Sequence, residues 1–190
     1  MISHLETFIA TYGTVFVFLG TLLEGETVVI LAGFLSEQGT LNPYHVAIAA
    51  FFGSWISDQS LFYVGRYFSG SPIVEKQKNL PVFARALEMI ERNSNAFILA
   101  FRFLYGLRTV SPLALGVSKV SALRYLILNT IAAAIWAPAI TAIGYGLGAL
   151  LHGAVGRLPK IEHEIGIGLA IAAVCALAIH LVVRAARRPQ

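Results

Sequence analysis

Two carboxylates stand inside an apolar run at residues 22–33, LLEGETVVILAG, where Glu24 and Glu26 flank Gly25. The stretch from Phe8 to Leu23 before them and the piece from Thr27 to Leu35 after them both read as membrane-embedded. A carboxylate at the centre of a bilayer costs about 2.5–3.5 kcal/mol on insertion scales. A chain that keeps two there must supply them with partners. Arg102 and Arg108 interrupt a second apolar stretch in the same manner, and the expectation is that these four charges meet.

Composition makes the membrane setting general. Of the 190 residues, 57% are hydrophobic and 13% charged, where soluble domains carry about 25% charged residues. The mean hydropathy is +0.73. In such a chain the net charge of +4 reports orientation before it reports a polyanionic partner, so nucleic acid is not expected as a partner. No Lys or Arg precedes Arg66, which argues against a secretory signal peptide. The single cysteine, Cys175, cannot form an internal disulfide.

Along the chain, a short polar lead gives way to the limb Phe8–Leu23, the Glu24-Gly25-Glu26 break and the return limb to Leu35. Gly39, Asn42 and Pro43 mark a loop. Tyr44 to Phe68 is long enough to cross, and carries Trp55 and Asp58. Residues 71–95 are charged, and Phe83, Leu87 and Ile90 recur at helical spacing, which predicts an amphipathic helix lying flat at the membrane surface. A second short limb, Ala96 to Tyr105, breaks at Gly106 and returns through Ser111-Pro112. Residues 121–151 form a long crossing containing Asn129, Trp136 and Pro138, and 165–184 a final span followed by arginines.

The halves resemble one another. Leu23-Glu24-Gly25-Glu26-Thr27-Val28 aligns with Leu104-Tyr105-Gly106-Leu107-Arg108-Thr109-Val110 with one residue inserted. Gly33 then falls on Gly116, Trp55 on Trp136 and Gly65 on Gly144. If each half is a re-entrant hairpin plus one crossing, successive halves are inverted, the plan of many transporters. The predicted fold is an all-α polytopic membrane protein built as one membrane domain. It comprises repeat 1 (8–70), a surface amphipathic linker (71–95), repeat 2 (96–151) and one further C-terminal transmembrane helix (165–184). Arg66, the linker, Lys119, Arg124 and the C-terminal arginines fall on one side, with Arg157 and Lys160 opposite, which makes the basic side and the C-terminus cytoplasmic.

On unbroken helices Arg102 and Arg108 would diverge by roughly 120°, and Glu24 and Glu26 by roughly 160°. Breaks at Gly25 and Gly106 let hairpin tips gather them instead. Arginine forks suit carboxylates and phosphates, and the return helices would aim their N-termini at the same point. A carboxylate displaced from its arginine by phosphate would take up a proton more readily. Asp58 either lines that cavity or faces polar groups of a neighbouring helix, and Tyr105 is a lid or an interfacial aromatic. Trp55 and Trp136 read as packing or belt residues. The plainer alternative is a structural ion-pair cluster. The five histidines lack metal-ligand spacing, and no nucleotide or hydrolase motif is present, so neither metal nor cofactor is expected.

The Glu24-Gly25-Glu26 tip, the run from Ser57 to Gly70, the stretch Phe101-Arg102-Phe103-Leu104-Tyr105-Gly106-Leu107-Arg108-Thr109-Val110-Ser111-Pro112 and the closing Gly144-Tyr145-Gly146-Leu147-Gly148 together resemble the DedA family, also called SNARE-associated or VTT-domain proteins. The resemblance implies a bacterial inner-membrane protein that flips or scrambles phospholipids or polyprenyl phosphates, coupled to the proton motive force, with roles in envelope homeostasis. It would place the family's acidic pair on Glu24 and Glu26 and its arginine pair on Arg102 and Arg108. Many members separate the acidic residues by a longer stretch with a proline-glycine turn, whereas one glycine separates them here. The expected partners are anionic lipid head groups and protons, with homo-oligomerisation left open. An enzyme is not expected. The rival readings are a proton-coupled exporter of small cations or drugs and a non-transporting scaffold.

Overall fold

A computed structural model describes residues 2–104 and 106–155. The expected C-terminal span at 165–184, its arginines, Arg157, Lys160, His163 and Cys175 lie outside the described residues, as does Tyr105. All regular structure among the described residues is helical: α1 (Ile2–Leu23), α2 (Glu26–Glu37), α3 (Pro43–Tyr67), α4 (Pro72–Lys78), α5 (Pro81–Ala100), a 3-10 turn (Phe101–Phe103), α6 (Ser111–Val117) and α7 (Ala122–Val155).

Local chemistry sets the boundaries. Asn42 caps α3, its side chain accepting from the Tyr44 N–H at 2.9 Å, and Pro43 supplies the first helical position. Ser71 and Pro72 repeat the device for α4. Gly39 ends the α2 turn at φ +77°, a conformation that favours glycine. α1 extends back through the polar lead, so it is longer than the limb the apolar run predicts.

Two long helices expose apolar stripes and bury polar residues among an apolar core. On α3, Ile48, Phe52 and Ile56 are exposed at successive turns, while Ser54, Asp58 and Gln59 are buried. On α7, Leu123, Ile127, Ile131 and Ile135 are exposed, while Tyr125, Asn129 and Trp136 are buried. Water would penalise that arrangement and lipid favours it, because buried polar groups here have protein partners. α7 contains the stretch Ala122–His152, 31 residues, long and apolar enough to cross a bilayer. Pro138 lies within α7 without ending it.

α5 is amphipathic, as the spacing of Phe83, Leu87 and Ile90 predicts. Its apolar stripe, Phe83, Ala86 and Ile90, packs into a core with Phe62, Val74, Leu115 and Tyr125. That stripe is therefore covered by protein and not dipped into lipid, while Arg85, Glu88, Glu91 and Arg92 stay exposed. Asn93 is non-helical at φ −160°, ψ 89°. Its side chain accepts from the Ala96 N–H at 3.1 Å, which starts a second helical piece and redirects the chain toward the 3-10 turn.

α2 packs mainly on α7, and α6 on α3. Both contacts are backbone to backbone. Gly33 lies against the Thr141 carbonyl and Gly144, and Gly65 against the Leu113 carbonyl and Gly116, with no room for a Cβ at any of the four. One end of the bundle is fastened by Arg66, which donates to the carbonyls of Gly116 at 2.7 Å, Ser118 at 3.1 Å and Val120. At the other end Glu37 meets His152 at 3.2 Å.

Candidate functional site

Both expected interruptions exist. α1 stops at Leu23 and α2 starts at Glu26. The second chain reversal runs through Leu104, in extended backbone, to Gly106 at φ +79°. The four charges Glu24, Glu26, Arg102 and Arg108 do not form one cluster, however. Arg108 pairs with Glu26 and Arg102 with Asp58, the two guanidinium groups sharing the ring of Trp136, and Glu24 pairs with neither.

The first site is open. Arg108 lies 3.4 Å from Glu26, with side-chain exposures of 17% and 38%. Its guanidinium occupies the space beside Gly25 where a Cβ would sit, so glycine at the break is what admits the arginine. The guanidinium carbon also lies 4.5 Å from the ring centroid of Trp136. Arg108 thus has an aromatic face on one side and a half-exposed carboxylate on another, with the start of α2 beside it.

The second site is closed. Arg102 is fully buried in the 3-10 turn. It pairs with Asp58 at 2.5 Å and donates to Ser54 Oγ and Asn129 Oδ1, each at 3.0 Å. Asn129 in turn donates to Gln59 Oε1 at 3.4 Å. The Tyr125 hydroxyl donates to the Asp58 backbone carbonyl at 3.3 Å, and its ring stacks on Phe62 with centroids 4.2 Å apart. Asp58 Oδ2 is close to the guanidinium but not aligned as a hydrogen bond, and Arg102 Nε has no acceptor. Asp58 therefore faces a neighbouring element's polar group.

Glu24 joins neither arginine. It is exposed and accepts from the Thr27 hydroxyl at 2.9 Å. The division has a simple cause. Arg102 precedes the chain reversal and points into the α3–α7 packing, whereas Arg108 follows it and reaches the α1–α2 break. Tyr105, between them, lies outside the described residues.

Sequence reasoning passed over Trp136, Asn129, Ser54, Gln59 and Tyr125 as site members. The available signal was weak but present: Asn129 and Gln59 are polar residues in apolar runs, and Trp136 aligns with Trp55. Among the described residues no group of three or more His, Cys, Asp or Glu is placed to hold a metal ion.

An all-helical bundle with apolar outer stripes and a guanidinium sealed among polar partners is the build of a helical membrane protein. Residues 22–146 match the VTT domain, and the chain belongs to this family of membrane proteins, the DedA family. It is 35% identical over 147 residues to the inner membrane protein YohD of Escherichia coli strain K12, covering 77% of each chain. It is 31% identical to the inner membrane protein YghB of the same strain, over 67% of this chain and 59% of the relative. It is 23% identical to the undecaprenyl phosphate transporter A of Bacillus subtilis strain 168, over 78% of this chain and 79% of the relative. No solved structure matches it.

Proposed function

We propose that this protein resides in the bacterial inner membrane and moves an anionic lipid head group, a polyprenyl phosphate or a phospholipid, across it, with proton movement coupled to transfer. The observation that carries this reading is the Arg108–Glu26 pair. The Arg102–Asp58 pair is sealed from solvent and reads as structural. A guanidinium held by a partly exposed carboxylate at 3.4 Å is exchangeable. A phosphate offers the fork a stronger bidentate partner, and the released Glu26 carboxylate then accepts a proton. The name of the Bacillus subtilis relative is in keeping with such a cargo. Arg102 and Asp58 anchor the turn from which Arg108 projects.

The glycine contacts support an inverted repeat. Under the alignment that lays Gly33 on Gly116 and Gly65 on Gly144, the contact Gly33–Gly144 becomes Gly116–Gly65, and both are close backbone approaches. Such an exchange is what two-fold related halves produce. α1–α2 and the stretch from the second half of α5 to α6 would be the re-entrant hairpins, with the basic Arg66–Arg124 end cytoplasmic.

The test is reconstitution in liposomes with labelled polyprenyl phosphate or phospholipid, with and without a pH gradient. Transfer should depend on the protein and should fall to background in Glu26→Gln and Arg108→Ala. Full transfer and coupling in both variants would rule the reading out. Phosphate release by the purified protein would point to an enzyme instead.

A further inference from the structure

Trp136 is the largest fully buried side chain among the described residues and packs in a core with Val29, Ala49 and Ala137, but packing does not account for its polar edge. Its indole N–H has no partner. An unsatisfied buried donor costs about 1–3 kcal/mol, and the tryptophan aligned with it in the first half avoids that cost. Trp55 donates to Thr130 Oγ1 at 2.9 Å. Trp136 instead sits with its ring 4.5 Å from the Arg108 guanidinium carbon and 5.7 Å from that of Arg102. One ring on the crossing helix α7 thus contacts both arginines of the chain reversal.

We propose that Trp136 is a positioning residue that holds the Arg108 guanidinium in place, whether or not Glu26 is paired with it, as the receptor for a phosphate-bearing ligand. This deepens the reading given under Proposed function and rests on it. An arginine whose carboxylate partner has left would otherwise swing away or draw in a new counter-charge. The negative face of the indole retains it without competing for its N–H forks, so the forks stay available for the anion. The unpartnered indole N–H belongs to the ring that this guanidinium covers, and a ligand oxygen that reached the ring edge would give it an acceptor.

The experiment uses full-length protein in dodecyl maltoside carrying Trp55→Phe, which leaves Trp136 as the sole tryptophan. Decyl phosphate is titrated in one arm and inorganic phosphate in the other, with binding read by calorimetry and indole emission recorded alongside. Decyl phosphate should shift the emission with the midpoint seen by heat. Trp136→Leu should weaken binding about 10- to 30-fold, the scale of a desolvated cation–π contact. Trp136→Phe, which keeps a ring face but no N–H, should weaken it about 3-fold.

Equal affinity in Trp136→Leu and its parent overturns the positioning role and leaves the anion site standing. No decyl phosphate binding by the parent overturns both. Inorganic phosphate bound with the same dependence on Trp136 supports the positioning role and assigns the site to the free anion. If Trp136→Leu is not monodisperse, Arg108→Ala in the sole-tryptophan protein decides. A shifted emission supports the contact, and an unmoved spectrum overturns it.

Discussion

Arg102 and Arg108 leave the same reversal of the chain and meet opposite conditions. Arg102 is sealed in, and its charge is held by Asp58, Ser54 and Asn129. Removing Asp58 strands that charge, so Asp58→Ala should destabilise the protein by about 3–5 kcal/mol. The double change Asp58→Leu with Arg102→Met should recover most of this, because desolvating the pair costs much of what it returns. Thermal unfolding in detergent of the singles and the double measures both. Glu26→Gln breaks a partly exposed, screened pair and should alter stability by no more than about 1 kcal/mol while abolishing transfer in liposomes. If Glu26→Gln unfolds like Asp58→Ala, the open pair is structural after all. In the sequence, the arginines' need for partners was legible from their placement in apolar surroundings. Their partners were not. Asp58 lies 44 positions before Arg102 on a different helix, and nothing local tells Glu24 from Glu26.

At the scale of the helix, the glycines decide how closely elements approach. Gly25 is not needed for backbone conformation, since its φ is −83°, but a methyl there would displace the Arg108 guanidinium. Gly25→Ala should leave helix content unchanged by circular dichroism and lower transfer about 100-fold, the scale of a misplacement near 1 Å. Gly116→Leu should act on folding instead, because any side chain there drives α6 off the Phe62 carbonyl and the Arg66 N–H. Its thermal midpoint should drop in detergent before any activity is measured. Breaks at Gly25 and Gly106 and the loop at Gly39, Asn42 and Pro43 were readable from residue type. The burial of α5 was not. An apolar stripe at helical spacing is the same whether lipid or protein covers it, and only the partners Val74, Leu115 and Tyr125 settle which. Asn93 likewise looks like one more polar residue on an exposed face until its backbone is seen.

For the whole molecule, the two ends should face different compartments. With Cys175→Ser as background, Gln38→Cys should react with an impermeant maleimide added to intact cells, and Lys119→Cys only after lysis. The reverse pattern would invert the orientation. The ends also differ in how they are tied. A guanidinium grips three main-chain oxygens at the α6–α7 junction, and at the far end a carboxylate–imidazole contact, with the ring half in solvent, supplements the backbone packing of α2 on α7 at Gly33 and Gly144. The side-chain fastening is therefore firmer at the Arg66 end than at the Glu37 end. Amide deuteration should be slow around residues 116–120 and faster around 36–40, where the lighter clasp leaves the helix end freer to fray.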